Sequence, residues 1–219
     1  MERVDEQVTI PRIRAEHRRR ESEVRQRLQE FSAIWESRDD QRIWAEMVYC
    51  FFTGGCSAVM GLRSVEAVRP LLANGTSKKV AERLKGVHRY PNARARYVAD
   101  SRKYLKRVYD MRLWDVLGSM EHHARRDWLV NEKGIKGLGY KEASHFLRNI
   151  GFRGYAILDK HVLRCLADLK IIDDPKPPTT RSRYLTVEDK LKKMSSSLKI
   201  DFDEMDLVLW SLKTGKVLK

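Results

Sequence analysis

Cysteine, glycine and proline are all scarce in this chain of 219 residues, which has three, twelve and six of them. Cys50, Cys56 and Cys165 form no C-x-x-C pair and have no histidine at metal-ligand spacing. A disulfide framework is therefore not expected, no metal site is predicted, and a reducing compartment is favoured. The low glycine and proline content and the scarcity of strand-like alternation argue against a β-rich fold.

Long hydrophobic runs are also absent. No apolar stretch approaches the roughly 20 residues of a membrane span, and the N-terminus is charged throughout, without a signal-peptide pattern. We therefore expect a cytoplasmic protein.

Basic residues outnumber acidic ones, 44 Lys and Arg against 30 Asp and Glu, which gives a net charge of +14 and a pI of about 9.8. Such a balance indicates a polyanionic partner. An anionic membrane surface is the competing partner, but no long basic amphipathic segment stands apart from the fold. The sequence therefore favours nucleic acid over membrane.

The basic excess is concentrated in residues 78–107, which contain eleven Lys and Arg and only two acidic residues. Apolar residues keep helical spacing through this segment, so we predict a basic surface on packed helices. Contacts with DNA phosphates are the functional interpretation, and Arg94 and Arg96, after the turn at Tyr90, are the first candidates. Diffuse solubilising charge is the alternative.

The first 43 residues carry ten basic and ten acidic residues, so the run Arg18–Arg20 is locally neutralised. Val24, Leu28, Phe31 and Trp35 share one face of a predicted long helix. We expect an ion-paired, solvated surface here, with DNA contact by Arg18–Arg20 as the alternative.

Several polar residues are predicted to begin helices. Ser57 follows the turn at residues 53–57 and is expected to cap the next helix. The sequence Thr186-Val187-Glu188-Asp189 resembles a capping box and is expected to open another helix. Asp203 is expected to cap the last one. Together with the apolar spacing, these signals predict an all-α fold.

The most informative stretch runs from Gly134 to Arg164. It begins with Gly137-Leu138-Gly139 and then changes to the spacing of a helix with one apolar face. Two glycines at such a turn allow two helices to meet closely. The free N–H groups and the dipole of the second helix then form a site for a phosphate. An ordinary helix-turn-helix corner is the alternative.

Lys141 lies two residues beyond the second glycine, in the first turn of the predicted helix. Asp159 follows eighteen residues later and is placed at or near the N-cap of the next helix. His145 is one turn after Lys141, on the same face. Taken singly, these residues have structural interpretations: a solvated lysine, a capping aspartate and a packed histidine.

Taken together, the hairpin, the lysine and the aspartate resemble the helix-hairpin-helix DNA glycosylases. The sequences GLGYKEASHFLRNIG and YAILDKHVLR look closest to the short second-type 8-oxoguanine DNA glycosylase/lyases. In bifunctional members a lysine in the position of Lys141 is the nucleophile. The resemblance therefore implies a glycosylase that is also an AP lyase, with Lys141 and Asp159 as catalytic residues.

The resemblance also implies an architecture. It suggests two helical lobes, 44–153 with the helix-hairpin-helix motif at about 134–150, and 1–43 combined with 154–219, with the active site in the cleft between them. Gly137 and Gly139 would bind the DNA backbone, and the hairpin carbonyls are a candidate site for a monovalent cation. Some relatives carry a four-cysteine iron–sulfur cluster after the aspartate, but here only Cys165 follows it. No cofactor is otherwise expected.

The last helix and the end of the sequence supply the implied base pocket. Asp206 and Trp210 lie one helical turn apart, as candidates for the hydrogen-bonding edge and the π-face of a flipped base. Lys219 is a candidate because members of the family use a C-terminal lysine in base recognition. His145 completes the predicted pocket. In the family, the turn that corresponds to residues 53–57 fills the gap left by the base, but here it lacks a large wedge residue.

The sequence thus predicts a monomeric enzyme, associated with the nucleoid, that excises 8-oxoguanine from duplex DNA and then cuts the strand by β-elimination. The same chemistry on an oxidised pyrimidine is one alternative. A non-catalytic helix-hairpin-helix DNA-binding module and a basic scaffold protein are the others.

Overall fold

The computed structural model describes residues 7–219, and throughout this range the fold is all-α, without β-strands. The predicted fold class is confirmed. Within the same range no helix is long and apolar enough to cross a lipid bilayer. The helices are α1 (Ile10–Glu36), α2 (Asp40–Thr53), α3 (Ala58–Val68), α4 (Ser77–Leu84), α5 (Pro91–Tyr109), α6 (Leu113–Gly118), α7 (His122–Asn131), α8 (Tyr140–Asn149), α9 (Lys160–Asp168), α10 (Arg181–Leu198) and α11 (Phe202–Thr214), with a short 3-10 helix at Arg69–Leu71.

Two compact units make up the chain. The central unit is Phe31–Phe152, and the terminal unit combines the described residues up to Glu30 with Arg153–Lys219. The predicted boundaries were 43/44 and 153/154, whereas the observed boundaries are 30/31 and 152/153. The second prediction therefore differs by one residue, and the first differs by more. The first boundary falls within α1 because the end of that helix packs in the central unit. There, the Trp35 ring lies 5.7 Å from that of Trp114 and 4.4 Å from that of Phe152.

The core of the central unit is built on α2. Every residue of α2 from Met47 to Thr53 is buried, since helices pack around it on more than one side. Its polar residue Glu46 is also buried and accepts a hydrogen bond from the Asn149 side chain of α8, at 3.2 Å. Burying a polar group is tolerated only when it is hydrogen-bonded, so this bond fixes α8 against α2.

In the terminal unit, polar contacts join the first part of α1 to α11. Glu204 accepts from His17 at 2.6 Å and from Arg25 at 2.9 Å, and Glu16 accepts from the Ser211 hydroxyl at 2.9 Å. We call this row of contacts the α1–α11 seam. Arg19 and Arg20, in the arginine-rich segment of α1, both pair with Glu16. The predicted ion-paired character is therefore confirmed for these two arginines.

Two predicted helix starts are wrong. Helix α10 begins at Arg181, where the Thr180 hydroxyl accepts from the Arg183 N–H, so residues 186–189 lie inside the helix. Helix α11 is capped by Asp201, whose carboxylate accepts from the Asp203 N–H at 2.8 Å. The predicted cap at Ser57 is confirmed, with its hydroxyl 3.2 Å from the Met60 nitrogen.

Candidate active site

The hairpin between α7 and α8 has the predicted form. Gly137 has φ +84°, in the left-handed region that favours glycine, and Gly139 precedes the first residue of α8. Ile135 and Leu138 are buried, as expected for the apolar side of the turn. A helix-hairpin-helix motif therefore occupies the segment around residues 134–150.

Helix α5 packs tightly against the hairpin glycines. A Cβ on Gly137 would lie 2.6 Å from the Tyr97 ring, and one on Gly134 would lie 2.0 Å from the Tyr104 ring. Tyr104 donates a hydrogen bond to Glu132 at 2.7 Å, and this bond is the main cause that raises the pKa of Tyr104 to about 12. The hairpin is thus held in place by the helix that carries the basic segment.

Lys141 lies in the first turn of α8, as predicted. Its Nζ is 3.0 Å from Oε1 of Glu142, and 26% of its side chain is exposed. Since Glu142 is also in the first turn, its carboxylate is favoured there by the helix dipole. The structure therefore presents Lys141 as a partly buried ammonium, held by an adjacent carboxylate and still accessible from solvent.

The turn between α2 and α3 lies close to this ion pair. A Cβ placed on Gly54 would be 3.1 Å from the Arg94 guanidinium and 3.6 Å from Glu142 Oε1. Arg94 donates to the Gly54 carbonyl and lies over the Tyr97 ring, with its Cζ 5.3 Å from the centroid. Arg94 therefore has a structural role that the sequence did not reveal, whereas Arg96 is exposed.

His145 lies one turn after Lys141 on α8, but it is buried rather than open to solvent. Its ring packs edge-on to Tyr49, with centroids 5.5 Å apart. Its neighbour Ser144 accepts a hydrogen bond from the buried Arg126 of α7 at 3.2 Å. The sequence-predicted place of His145 in the base pocket stays a prediction, and its ring contributes to the packing of α8 on α2.

Asp159 is the N-cap of α9, as predicted. Its Oδ1 accepts both cap bonds, from the backbone N–H groups of His161 at 2.8 Å and Val162 at 2.9 Å. Oδ2 makes no hydrogen bond to another described residue. One oxygen of this carboxylate is thus fixed by the helix, and the other takes no part in the cap of this half-buried side chain.

The loop that leads into Asp159 is held by side chains of α10 and α11. The Ala156 N–H donates to Glu188 at 2.8 Å, and the Gly154 N–H donates to Asp203 at 2.7 Å. The Tyr184 hydroxyl donates to the Ala156 carbonyl at 2.7 Å. Glu188, Asp203 and Tyr184 are all buried. The two carboxylates mistaken for helix caps therefore fix the backbone before Asp159.

The predicted pocket residues of α11 lie beside α9. The Trp210 ring is edge-on to that of His161, with centroids 6.5 Å apart, and Asp206 is buried one turn before it. Burial lowers the pKa of His161 below 6.5, although the Asp159 carboxylate acts in the opposite direction. Trp210 is only partly buried. The terminal unit thus brings Asp159, His161 and Trp210 into one region.

The last residues of the sequence pack against the rest of the terminal unit. Val217 is 2% exposed, and Lys219 is partly buried. The Gly215 carbonyl, which ends α11, accepts a hydrogen bond from Arg20 at 2.7 Å. The segment that carries the predicted base-recognising lysine is therefore attached to the body of the terminal unit.

The basic segment forms an exposed surface on α4, α5 and the turn between them. Arg94 and Arg102 are exceptions, because they donate to backbone carbonyls of their own unit. Tyr90, at the start of α5, is 42% exposed and lies between Arg89 and Arg94, whose guanidinium carbons are 5.3 and 5.9 Å from the ring centroid. The exposed basic residues are Lys78, Lys79, Arg83, Lys85, Arg89, Arg96, Lys103, Lys106 and Arg107.

The model of the family described as 8-oxoguanine DNA glycosylase (Ogg-HhH) matches residues 24–200. The chain belongs to this family.

Named members of the family are similar over most of their length. The 8-oxoguanine DNA glycosylase/AP lyase of Korarchaeum cryptofilum is 37% identical over 197 residues, 90% of either chain. That of Fusobacterium nucleatum is 35% identical over 202 residues, 90% of this chain and 92% of the relative. The family resemblance is therefore not restricted to the hairpin and the aspartate.

Solved structures of the family share the fold. The 8-oxoguanine DNA glycosylase of Thermotoga maritima superposes with a TM-score of 0.87 at 33% identity, covering 96% of this chain and 98% of that one. The Methanocaldococcus jannaschii 8-oxoguanine glycosylase/lyase, in complex with a 15-mer DNA containing 8-oxoguanine, gives 0.86 at 31% identity, covering 96% and 99%.

Within the described range, no group of three or more His, Cys, Asp or Glu residues is arranged to hold a metal ion. The chemically distinctive groups are an amine on α8 in the central unit and, in the terminal unit, a carboxylate at the start of α9 and an aromatic ring on α11. An amine nucleophile and a carboxylate are suited to a reaction that develops positive charge on a sugar.

Proposed function

We propose that this protein is a bifunctional DNA glycosylase and AP lyase that excises 8-oxoguanine from double-stranded DNA. The observation that carries the proposal is Lys141, an accessible amine in the first turn of the helix after the hairpin, in a chain of the 8-oxoguanine DNA glycosylase family. A clamp that only bound DNA phosphates would use the same lysine as a cation, so covalent chemistry at Lys141 is what distinguishes the two functions.

Recognition begins with the DNA backbone. The Gly137–Gly139 turn exposes the N-terminus of α8, which has no side-chain cap, and such a terminus favours a phosphate. The exposed basic residues of α4 and α5, Arg96 among them, neutralise further phosphates and make binding dependent on salt. Tyr90, exposed between two arginines, is suited to stack on a base. Binding in this way supports extrusion of the damaged nucleotide, which costs a few kcal/mol.

The flipped base is then recognised by the terminal unit. We propose that Trp210 stacks on the base, that Asp206 accepts hydrogen bonds from its edge, and that Lys219 contributes to its recognition. His145 is proposed as a further base-recognition residue, although it lies on α8 in the central unit. Trp210 supports this assignment best, since its ring is partly open and lies on the side of α11 that contacts α9.

We propose that Lys141 and Asp159 are the two catalytic residues of base removal. Lys141 gives up its proton and its ion pair with Glu142, and the neutral amine attacks C1′. The C1′–N9 bond breaks, and the base leaves with a proton. Asp159 stabilises the positive charge that develops on the sugar, through the carboxylate oxygen that does not cap α9.

Strand cleavage follows from the same covalent intermediate. Ring opening gives a Schiff base between Nζ of Lys141 and C1′, and loss of a proton from C2′ then expels the 3′ phosphate by β-elimination. Water hydrolyses the Schiff base and releases the enzyme. These steps require no metal or organic cofactor. A monovalent cation at the hairpin carbonyls remains a proposal, as do a monomeric state and a cytoplasmic, nucleoid-associated location.

The proposal is tested with duplexes that carry a single 8-oxoguanine opposite cytosine, an oxidised pyrimidine, or no lesion. Products are analysed with and without hot alkali, which cuts abasic sites left intact. We expect strand cleavage at 8-oxoguanine without alkali, and none in undamaged DNA. Cleavage only at the oxidised pyrimidine would support the proposed glycosylase and lyase chemistry but would show that the substrate is an oxidised pyrimidine and not 8-oxoguanine. Tight binding without cleavage of any duplex would contradict the proposed function and favour a DNA-binding module.

A further inference from the structure

Arg20 of α1 is hydrogen-bonded to the residue that ends α11. Its Nη2 donates to the Gly215 carbonyl at 2.7 Å, across 195 residues of sequence. Gly215 is the left-handed residue, φ +74°, at which the helix ends. Hydrogen bonds from charged donors are among the stronger ones in proteins. The point at which the chain leaves α11 is therefore fixed by a side chain of α1.

The Arg20 guanidinium is itself held by two carboxylates. Nη1 lies 2.5 Å from Glu23, and Nε lies 3.3 Å from Glu16. Glu16 is buried and also accepts from Ser211 of α11 at 2.9 Å. All three nitrogens of the guanidinium are thus engaged, and 19% of the Arg20 side chain is exposed. An arginine fixed in this way loses little further freedom when it binds Gly215.

The segment after Gly215 is packed rather than free. Val217 is buried, and the backbone N–H of Lys216 donates to the Thr214 hydroxyl at 3.4 Å. Lys219 lies two residues beyond the buried valine. The segment 216–219 therefore has a defined course, which starts from the position that Arg20 sets.

We propose that Arg20 is a positioning residue for recognition of the oxidised base. It would not touch the substrate. By fixing Gly215 it holds segment 216–219, and with it Lys219, in the place that base recognition requires. The inference rests on the proposed function, in which Lys219 contributes to recognition. Cleavage of a preformed abasic site, which contains no base to recognise, should not depend on Arg20.

The test compares Arg20→Met with Arg19→Met. Both variants remove an arginine that pairs with Glu16, but Arg19 makes no bond to Gly215. For Arg20→Met we expect kcat/KM on 8-oxoguanine to fall about tenfold, and cleavage of an abasic site to stay within about twofold. Arg19→Met should leave both activities within about twofold. Removing Lys219 from Arg20→Met should cost no more than removing it from the wild type, because both changes disable the same contact.

A second measurement follows the segment directly. A carboxypeptidase specific for basic C-terminal residues is applied to the 219-residue chain, and loss of Lys219 is followed by mass spectrometry. Release should be faster in Arg20→Met than in wild type, and unchanged in Arg19→Met. If Arg20→Met does not fold, Arg20→Lys replaces it, since a single ammonium cannot serve three acceptors at once.

The outcomes separate this inference from the proposed function. If deletion of Lys219 impairs 8-oxoguanine excision while Arg20→Met behaves like Arg19→Met, the role of Arg20 is overturned and the proposed function stands. If deletion of Lys219 has no effect, segment 216–219 is not a recognition element, and the inference fails. If the wild type does not excise 8-oxoguanine, the proposed function itself fails.

Discussion

Asp159 offers a prediction that separates a structural role from a catalytic one. Asp159→Asn keeps an oxygen that can accept both cap bonds of α9, since asparagine is as good an N-cap as aspartate. It removes only the charge, at a cost of about 0.3–1 kcal/mol from the helix dipole. Asp159→Ala removes the cap as well, which costs about 1 kcal/mol. For a chain of this size 1 kcal/mol lowers Tm by about 2–4 °C.

The effect on catalysis should be far larger than the effect on stability. Loss of one group that stabilises a developing charge lowers the rate by about 100- to 1,000-fold, and both variants lose that charge. Single-turnover excision of 8-oxoguanine and thermal unfolding are measured on the same preparations. We expect both variants to be severely inactive, with Asp159→Asn almost as stable as the wild type.

Asp39 provides a matched control. It caps α2 as Asp159 caps α9, with Oδ1 accepting from Gln41 at 2.8 Å and Arg42 at 3.3 Å. Asp39→Ala should lower Tm by a similar amount and leave excision within about twofold of wild type. Excision by Asp159→Asn within about threefold of wild type would refute a catalytic carboxylate at this position.

Three further predictions follow from the hairpin, the basic surface and the seam. Gly137→Ala should lower Tm by about 4–8 °C in thermal unfolding, because its φ of +84° is unfavourable and its Cβ would meet Tyr97; an unchanged Tm would contradict this. Arg96→Gln should reduce the slope of log Kd against log salt by about 0.9 without changing Tm, whereas Arg94→Gln should lower Tm; equal behaviour of the two would be inconsistent with the structure. Glu16→Gln should have a lower Tm than wild type, and this difference should be largest above about pH 4.5 and shrink at lower pH, since the pKa of Glu16 in the folded protein is lowered. A Tm difference that grows as the pH falls would contradict this prediction.

The sign of the Glu16 prediction follows from the contacts of that carboxylate. Burial alone would raise the pKa of Glu16, but hydrogen bonds from Arg19 and Ser211 and the charges of Arg19 and Arg20 outweigh it. The folded protein therefore binds the proton less tightly than the unfolded chain does. Stability from this group is present above the unfolded pKa and is lost as the pH falls through the lower, folded value.

The hairpin and the two candidate catalytic residues could be placed from the sequence because their signals are local. Gly137 and Gly139 mark a turn, the apolar spacing after them marks α8, and Lys141 and Asp159 each lie within one turn of a helix start. Such features depend on a few consecutive residues. The family resemblance then linked them to one chemistry.

The wrong helix starts show where local reasoning ends. Glu188 and Asp203 have the residue types expected of helix N-termini, but their carboxylates bind the backbone of the loop before Asp159. Nothing in the neighbouring sequence distinguishes a carboxylate that caps its own helix from one that serves a loop 32 or 49 residues away. Arg94 is similar, because the carbonyl it binds belongs to a turn 40 residues earlier.

The central claim is that Lys141 forms a Schiff base with damaged DNA, and borohydride trapping tests it most directly. Wild type, Lys141→Gln and Lys136→Gln, which removes an exposed lysine of the hairpin, are each incubated with an 8-oxoguanine duplex and sodium borohydride. The account predicts a covalent protein–DNA complex with wild type and Lys136→Gln, and none with Lys141→Gln. Trapping by Lys141→Gln at the wild-type level would contradict it.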